Sequence, residues 1–191
     1  MIAWYLDFDR ELFLLINGAL HHPILDTVMR AITTQKNWYP VLGGLAVALL
    51  IWGGRRGRLA VAMLVIAVAI TDQITCSVLK PLIGRVRPCN ALPPGSFRLL
   101  DGVTATFSFP SAHAANSFAM ATVVSWRFPA FAIVAFLIAA AVAYSRVYVG
   151  VHYPFDSLAG AFLGVLTGRF AIWIVVALGR RWDLARLRAR G

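Results

Sequence analysis

Three short stretches of this chain gather residue types that can handle an oxyanion. The first is Lys80-Pro-Leu-Ile-Gly-Arg-Val-Arg87-Pro88, and the second is Phe109-Pro110-Ser111-Ala112-His113. The third runs from Ser145-Arg146 to His152-Tyr-Pro-Phe-Asp156. Together they offer the cations of Lys80, Arg87 and Arg146, two imidazoles, a hydroxyl and a carboxylate. Cations converging on a helix N-terminus form an anion site, and phosphate is its natural tenant. Phosphoryl transfer spreads negative charge over the equatorial oxygens, so fixed cations around one phosphorus lower the barrier. Lys80, Arg87 and Arg146 suit that task, with Ser111 and the amides of residues 111–113 as further donors. Two histidines permit a division of labour in which one attacks phosphorus and the other protonates the leaving oxygen. His152 is the candidate nucleophile, because Asp156 at i+4 can hold its second ring nitrogen and fix the tautomer. His113 is left as the acid. No carboxylate cluster suited to magnesium and no His/Cys set suited to zinc accompanies them, so neither metal nor cofactor is expected. The arginines would take the metal's role.

The elements that position these residues must be membrane helices. Of 191 residues, 60% are hydrophobic and 14% charged, with a mean hydropathy of +0.74. Soluble domains average roughly 45–50% and about 25%. That surplus requires lipid as solvent and excludes a disordered tail, a collagen-like fibre and a disulfide-stapled module. Residues 37–54 carry no charge, 59–79 only Asp72, and 128–145 none. Residues 111–126 hold one ionisable group, His113, and 154–178 hold Asp156 and Arg169. At about 20 apolar residues per crossing, each of these reads as a transmembrane helix. Residues 3–20 mix Asp7, Asp9, Arg10 and Glu11 with Trp4, Tyr5, Phe8, Leu12, Phe13, Leu15 and Ile16. That is the pattern of an interfacial amphipathic helix or a weakly apolar first span. Pro23 opens a second helical stretch over 24–34. The expectation is an all-α polytopic transmembrane helix bundle of about six spans, five of them clear, with amphipathic N-terminal helices. It forms a single domain over 1–191. No basic n-region precedes an apolar core, so no removable signal peptide is expected.

The formal charge of +10 does not form a nucleic-acid-binding stripe. If the helices alternate, Arg55, Arg56, Arg58, Arg127 and the tail residues Arg180, Arg181, Arg186, Arg188 and Arg190 share one side. They match the cytoplasmic excess of basic residues, and the tail also suits anionic lipid. Lys80, Arg85, Arg87, Arg98 and Arg146 fall on the other side, where such residues are scarce and call for a function. Membrane lipid is therefore the expected partner and nucleic acid is not. The expected location is a bacterial inner (plasma) membrane, with the site facing the periplasm or exterior.

The ordered pattern Lys-x6-Arg-Pro, Pro-Ser-x-His and Ser-Arg-x5-His-x3-Asp runs from Lys80 to Asp156. It resembles the type 2 phosphatidic acid phosphatase superfamily, in its membrane-integrated lipid phosphatase branch. The resemblance implies a phosphohistidine on His152, oriented by Asp156, with His113 protonating the leaving group. It also implies phosphate contacts from Lys80, Arg87, Ser111 and Arg146, and no metal requirement. The implied substrate is an anionic phospholipid or isoprenoid phosphate, such as undecaprenyl pyrophosphate, phosphatidylglycerol phosphate or phosphatidic acid. Ala112 departs from the pattern where the family usually has Gly, so the backbone contact to phosphate is the least secure transfer. Two other classes compete: a lipid phosphotransferase using the same site, and a non-enzymatic anion transporter.

Other polar residues have plainer readings. Ser111 serves as an N-cap, a phosphate donor, or both. Asp72 and Arg169 lie within spans, where buried hydrogen bonding or snorkelling is preferred over tuning of the site. Gly160, Gly164 and Gly168 read as a helix-packing face. His21 and His22 mark a turn, and Arg85 and Arg98 fit a solvated loop as well as a headgroup contact. Cys76 and Cys89 have no metal-binding spacing and read as free thiols.

Overall fold

The computed structural model describes residues 2–19, 21–103 and 105–188, with side chains over 6–179. Arg190 and the side chains of Trp4, Tyr5, Arg180, Arg181, Arg186 and Arg188 lie outside the described residues. Among the described residues every regular element is a helix, as the composition requires. Helix α1 (Ile2–Leu14) continues through a π turn at Leu15–Ala19, and α2 covers Pro23–Thr33. Helix α3 (Tyr39–Ile51) precedes α4 (Gly54–Asp72), whose π-helical extension Gln73–Leu79 leads into the short α5 (Lys80–Ile83). Then come α6 (Pro88–Ala91), α7 (Ala112–Arg127), α8 (Ala132–Tyr148) and α9 (Pro154–Arg188). Pro23, Pro40, Pro88 and Pro154 each stand in a first turn, where a missing N–H removes no helix bond.

The six expected spans are not shown. Among the described residues, Gly54–Ala91, Pro129–Tyr148 and Pro154–Gly179 are long and apolar enough to cross a membrane. A fourth qualifies if Leu6–Ala19 and Pro23–Thr33, bent by 118°, count as one broken span. Helices α3 and α7, expected to cross, have 13 and 16 residues. At 1.5 Å per residue they reach roughly 20 and 24 Å, short of a hydrocarbon core about 30 Å thick. The first turns of α4 contain Arg55, Arg56 and Arg58. Arg127 Nε donates to Arg56 O at 3.2 Å, so these basic residues do share one end of the bundle.

The α1–α2 hairpin is tied to the opposite end at several points. Asn17 Nδ2 donates to Arg98 O at 2.7 Å and Tyr148 O at 2.8 Å, and Asn17 Oδ1 accepts from Arg98 N at 2.7 Å. Asp26 accepts from the Tyr148 hydroxyl at 2.7 Å and pairs with Arg98, while Thr33 meets Arg146. His22, expected only as a turn residue, caps α2 through Nδ1.

The bundle's core is built on backbone proximity between α7 and α9. A Cβ at Gly160 would stand 2.4 Å from Ser111 O, at Gly164 2.2 Å from Ala115 O, and at Gly168 2.8 Å from Ala119 O. The glycine stripe therefore forms the expected packing face, opposed by the buried Ala115 and Ala119. Met63, Ala67, Val123, Ala171 and Ile172 fill the seam where α4 joins this pair. A 2.6 Å hydrogen bond between the hydroxyls of Thr71 and Thr167 staples α4 to α9. This core fixes the starts of α7 and α9 against each other, and the candidate residues sit there.

Candidate active site

The turn after α8 carries His152. His152 N donates to Arg146 O at 3.2 Å, and Leu100 N donates to Val149 O at 3.0 Å, which fastens the turn to the preceding loop. Gly150 has φ +92°, and a Cβ there would lie 2.4 Å from Arg98 O, so only glycine fits. His152 is buried, with Nε2 2.9 Å from Arg87 Nη1. A guanidinium only donates, so Nε2 is the accepting nitrogen and the proton resides on Nδ1. Nδ1 lies 3.4 Å from Asp156 Oδ2, close but out of line for a hydrogen bond. Burial, then the charges of Arg87, Arg146 and Lys80, hold His152 well below the ordinary imidazole pKa. It is therefore neutral at physiological pH, the state a nucleophile needs.

Arg87 is clamped from several sides. Its Nε donates to Thr106 O at 2.8 Å, Nη2 to Thr106 Oγ1 at 3.0 Å and Nη1 to Val151 O at 3.0 Å. Arg146 is buried beside it, reaching Thr33 Oγ1 and, at 3.2 Å, Asp101 Oδ2. Lys80 is buried within electrostatic reach of Arg87 and Arg146. His113 stands in the first turn of α7, within reach of Arg146, His152 and Lys80. Ser111 occupies the N-cap position but makes no side-chain cap bond; its hydroxyl is buried without a partner. The cap reading of Ser111 thus gives way to that of a free donor. Arg146 Nε is likewise buried and unpartnered. Donors left in this way fit a ligand rich in acceptor oxygens. All seven residues picked from the sequence come together at this end of the bundle. Ala112, the departure from the family pattern, is the first residue of α7 and is half-buried.

Two further residues complete the site: Asp9, which the sequence reading passed over, and Arg85, which it gave to a solvated loop or a headgroup contact. Arg85 Nη1 donates to Asp156 Oδ1 at 2.6 Å, and its Nη2 donates to Asp9 Oδ2 at 2.6 Å. Asp9 Oδ1 accepts from Phe155 N at 3.0 Å, and Asp156 Oδ2 accepts from Tyr153 N at 2.9 Å. The Arg85 guanidinium also lies over the Tyr153 ring, 4.2 Å from its centroid. A chain Asp9–Arg85–Asp156, with both carboxylates fully buried, therefore stands behind His152. The signal for Asp9 was weak, since it is one of four charged residues on α1. For Arg85 it was the position two residues before Arg87. Asp72, for which buried hydrogen bonding or snorkelling was expected, is exposed on its helix and accepts hydrogen bonds from Asn116 and Cys76. Cys76 and Cys89 are free thiols. Among the described residues no group of His, Cys, Asp and Glu is arranged to hold a metal ion.

Comparison with known proteins supplies the family. The PAP2 superfamily profile matches residues 59–180. A lipid A 4'-phosphatase of Bacteroides thetaiotaomicron is 35% identical, covering 95% of this chain and 83% of the relative. An undecaprenyl-diphosphatase of Sulfolobus acidocaldarius is 31% identical over 82% of this chain and 73% of its own. The crystal structure of Aquifex aeolicus LpxE superposes with a TM-score of 0.72 at 32% identity, covering 85% of this chain and 93% of that one.

Proposed function

The chain belongs to the PAP2 superfamily of membrane lipid phosphatases, and on that premise we propose that it releases phosphate from a lipid phosphate through a phosphohistidine on His152. The supporting observation is the poise of His152, with Nε2 2.9 Å from Arg87 Nη1 and Nδ1 3.4 Å from Asp156 Oδ2. The substrate phosphate is received by Lys80, Arg87, Arg146 and the free hydroxyl of Ser111. The Nε2 lone pair forms the N–P bond as the P–O bond to the lipid breaks. His113, protonated against the negative charge of the bound phosphate, gives its proton to the departing oxygen. Asp156 stabilises the charge that appears on the His152 ring. Neutral His113 then takes a proton from water, whose oxygen displaces His152 from phosphorus. The cations neutralise the equatorial oxygens throughout, the task a metal performs elsewhere.

In this reading α4, α8 and α9 cross the membrane, the shorter α3 and α7 pack beside them, and the N-terminal hairpin caps the outer end. The hairpin replaces the sixth span expected from sequence, because its anchors from Asp9 to Thr33 all meet the site end. The site then faces the periplasm or exterior of a bacterial plasma membrane, with the basic tail inside. Lipid A and undecaprenyl diphosphate, named for the relatives, are the substrates to try first.

The test is phosphate release by detergent-purified protein from such lipids, with EDTA present and no acceptor lipid added. Release persists, and His152→Ala lowers it by roughly a thousandfold or more. Release only on adding an acceptor lipid would indicate a phosphotransferase. A folded, inactive protein that still moves anions would indicate a transporter.

A further inference from the structure

We propose that Asp72, Cys76 and Asn116 form a headgroup subsite beneath the phosphate site. It is built for a lipid phosphate whose phosphorylated carbon belongs to a hydroxyl- and amide-bearing scaffold, such as an acylated amino sugar. The inference rests on the phosphatase reading above and names its substrate class.

Asp72 is the lone charged residue across 59–79, yet it is exposed. Its Oδ1 accepts from Asn116 Nδ2 of α7 at 3.4 Å and from Cys76 Sγ at 3.6 Å. Both contacts are long, and a carboxylate accepts about four hydrogen bonds. Most of its capacity is open. Asn116 Oδ1 is a further acceptor without a partner. Exposed Gln73 and Ser77 extend the polar run along the π-helical segment Gln73–Leu79, a helix type frequent at functional sites. The groove lined by Phe118, Ala132, Ile133, Phe136, Leu137 and Ala140, between α7 and α8, is apolar by contrast. The polar run is a local feature.

Its position gives it meaning. Lys80 lies eight residues beyond Asp72, across the π-helical segment Gln73–Leu79. Lys80 also lies within electrostatic reach of both Asp72 and Cys76. Asn116 follows His113 by one turn of α7. The run therefore starts beneath Lys80 and His113 and descends between α4 and α7. With phosphate held at the outer end, the part of a lipid that joins phosphorus to its chains must lie along this surface. An exposed carboxylate facing hydrocarbon is costly, and an isoprenoid tail offers it no donor. Hydroxyls and amides do.

The test sets two lipids in competition in one mixed micelle: a monophosphorylated, acylated glucosamine lipid and undecaprenyl phosphate. The reading is the ratio of their kcat/KM values. Asp72→Leu should shift the ratio against the sugar lipid by about tenfold, the loss of a hydrogen bond to a charged group. Asn116→Leu should shift it in the same direction. Asp72→Asn, which keeps shape and one acceptor, should shift it less, and it guards against misfolding of the bulkier variant. An unmoved ratio, or equal losses on both lipids with a lowered Tm, overturns the subsite and leaves the phosphatase reading standing. No turnover of either lipid by the unsubstituted protein overturns that reading, and the subsite with it.

Discussion

His152 depends on groups behind it as much as on those in front. Asp156 can orient the imidazole only if its own carboxylate is fixed, and Arg85 and Tyr153 N fix it at 2.6 and 2.9 Å. Arg85 is in turn held by Asp9, fully buried on α1. Asp9→Asn keeps the acceptor for Phe155 N but removes the charge that pairs Arg85. It should lower kcat by about tenfold, as when the orienting partner of a catalytic ligand is lost, with KM little changed. Steady-state kinetics beside a melting curve separate this from simple destabilisation; equal changes in kcat and KM would contradict it. Lys80, Arg87, Ser111, His113, Arg146, His152 and Asp156 were legible because residue type and short spacing carry their chemistry. Asp9 and Arg85 were not, because 76 positions separate them and no local pattern links them. The free hydroxyl of Ser111 was hidden as well, since a serine at a helix start reads equally well as a cap.

At the scale of elements, the site is a consequence of how closely α7 and α9 approach. Gly160 lies against Ser111 O, and Ser111 N donates to Asp156 O at 2.9 Å, so the glycine contact and the site share the same few atoms. Gly160→Ala must push α9 away from the start of α7. It should lower both Tm and phosphatase activity, with a stability loss of roughly 1–3 kcal/mol as for overpacked cores. Gly43→Ala, on α3 with nothing within 4 Å of the new methyl, should raise Tm slightly, since alanine is the better helix former. Thermal melts in one detergent compare the two; equal effects would contradict the packing argument. The glycine stripe was legible from its spacing of four. The hairpin was not, because mixed charge and apolar character fits an interfacial helix and a weak span equally well. Its placement is decided by partners such as Arg98, Tyr148 and Arg146, far along the chain.

For the whole molecule, composition alone required a helical membrane protein, and the sequence order of three motifs carried the family. Span number was harder to read. Helices α3 and α7 are apolar but short, and the end of α4 runs on through a π segment into Lys80, so charge-free stretches and crossings do not coincide. What survives is the polarity of the molecule. Arg56 and Arg127 meet at one end, while Lys80, Arg85, Arg87 and Arg146 gather at the other around His152 and Asp156, and Arg98 pairs with Asp26 of the hairpin there. The relatives are named for lipids as different as lipid A and undecaprenyl diphosphate. The central claim is the covalent step at His152. It is tested most directly by quenching the purified protein during turnover of a lipid phosphate and mapping phosphorylated peptides under alkaline conditions, where phosphohistidine survives. An acid-labile phosphoryl group on the peptide containing His152, absent from His152→Ala, is the predicted result. Full turnover with no phosphoryl adduct, or an adduct on another residue, would contradict the account.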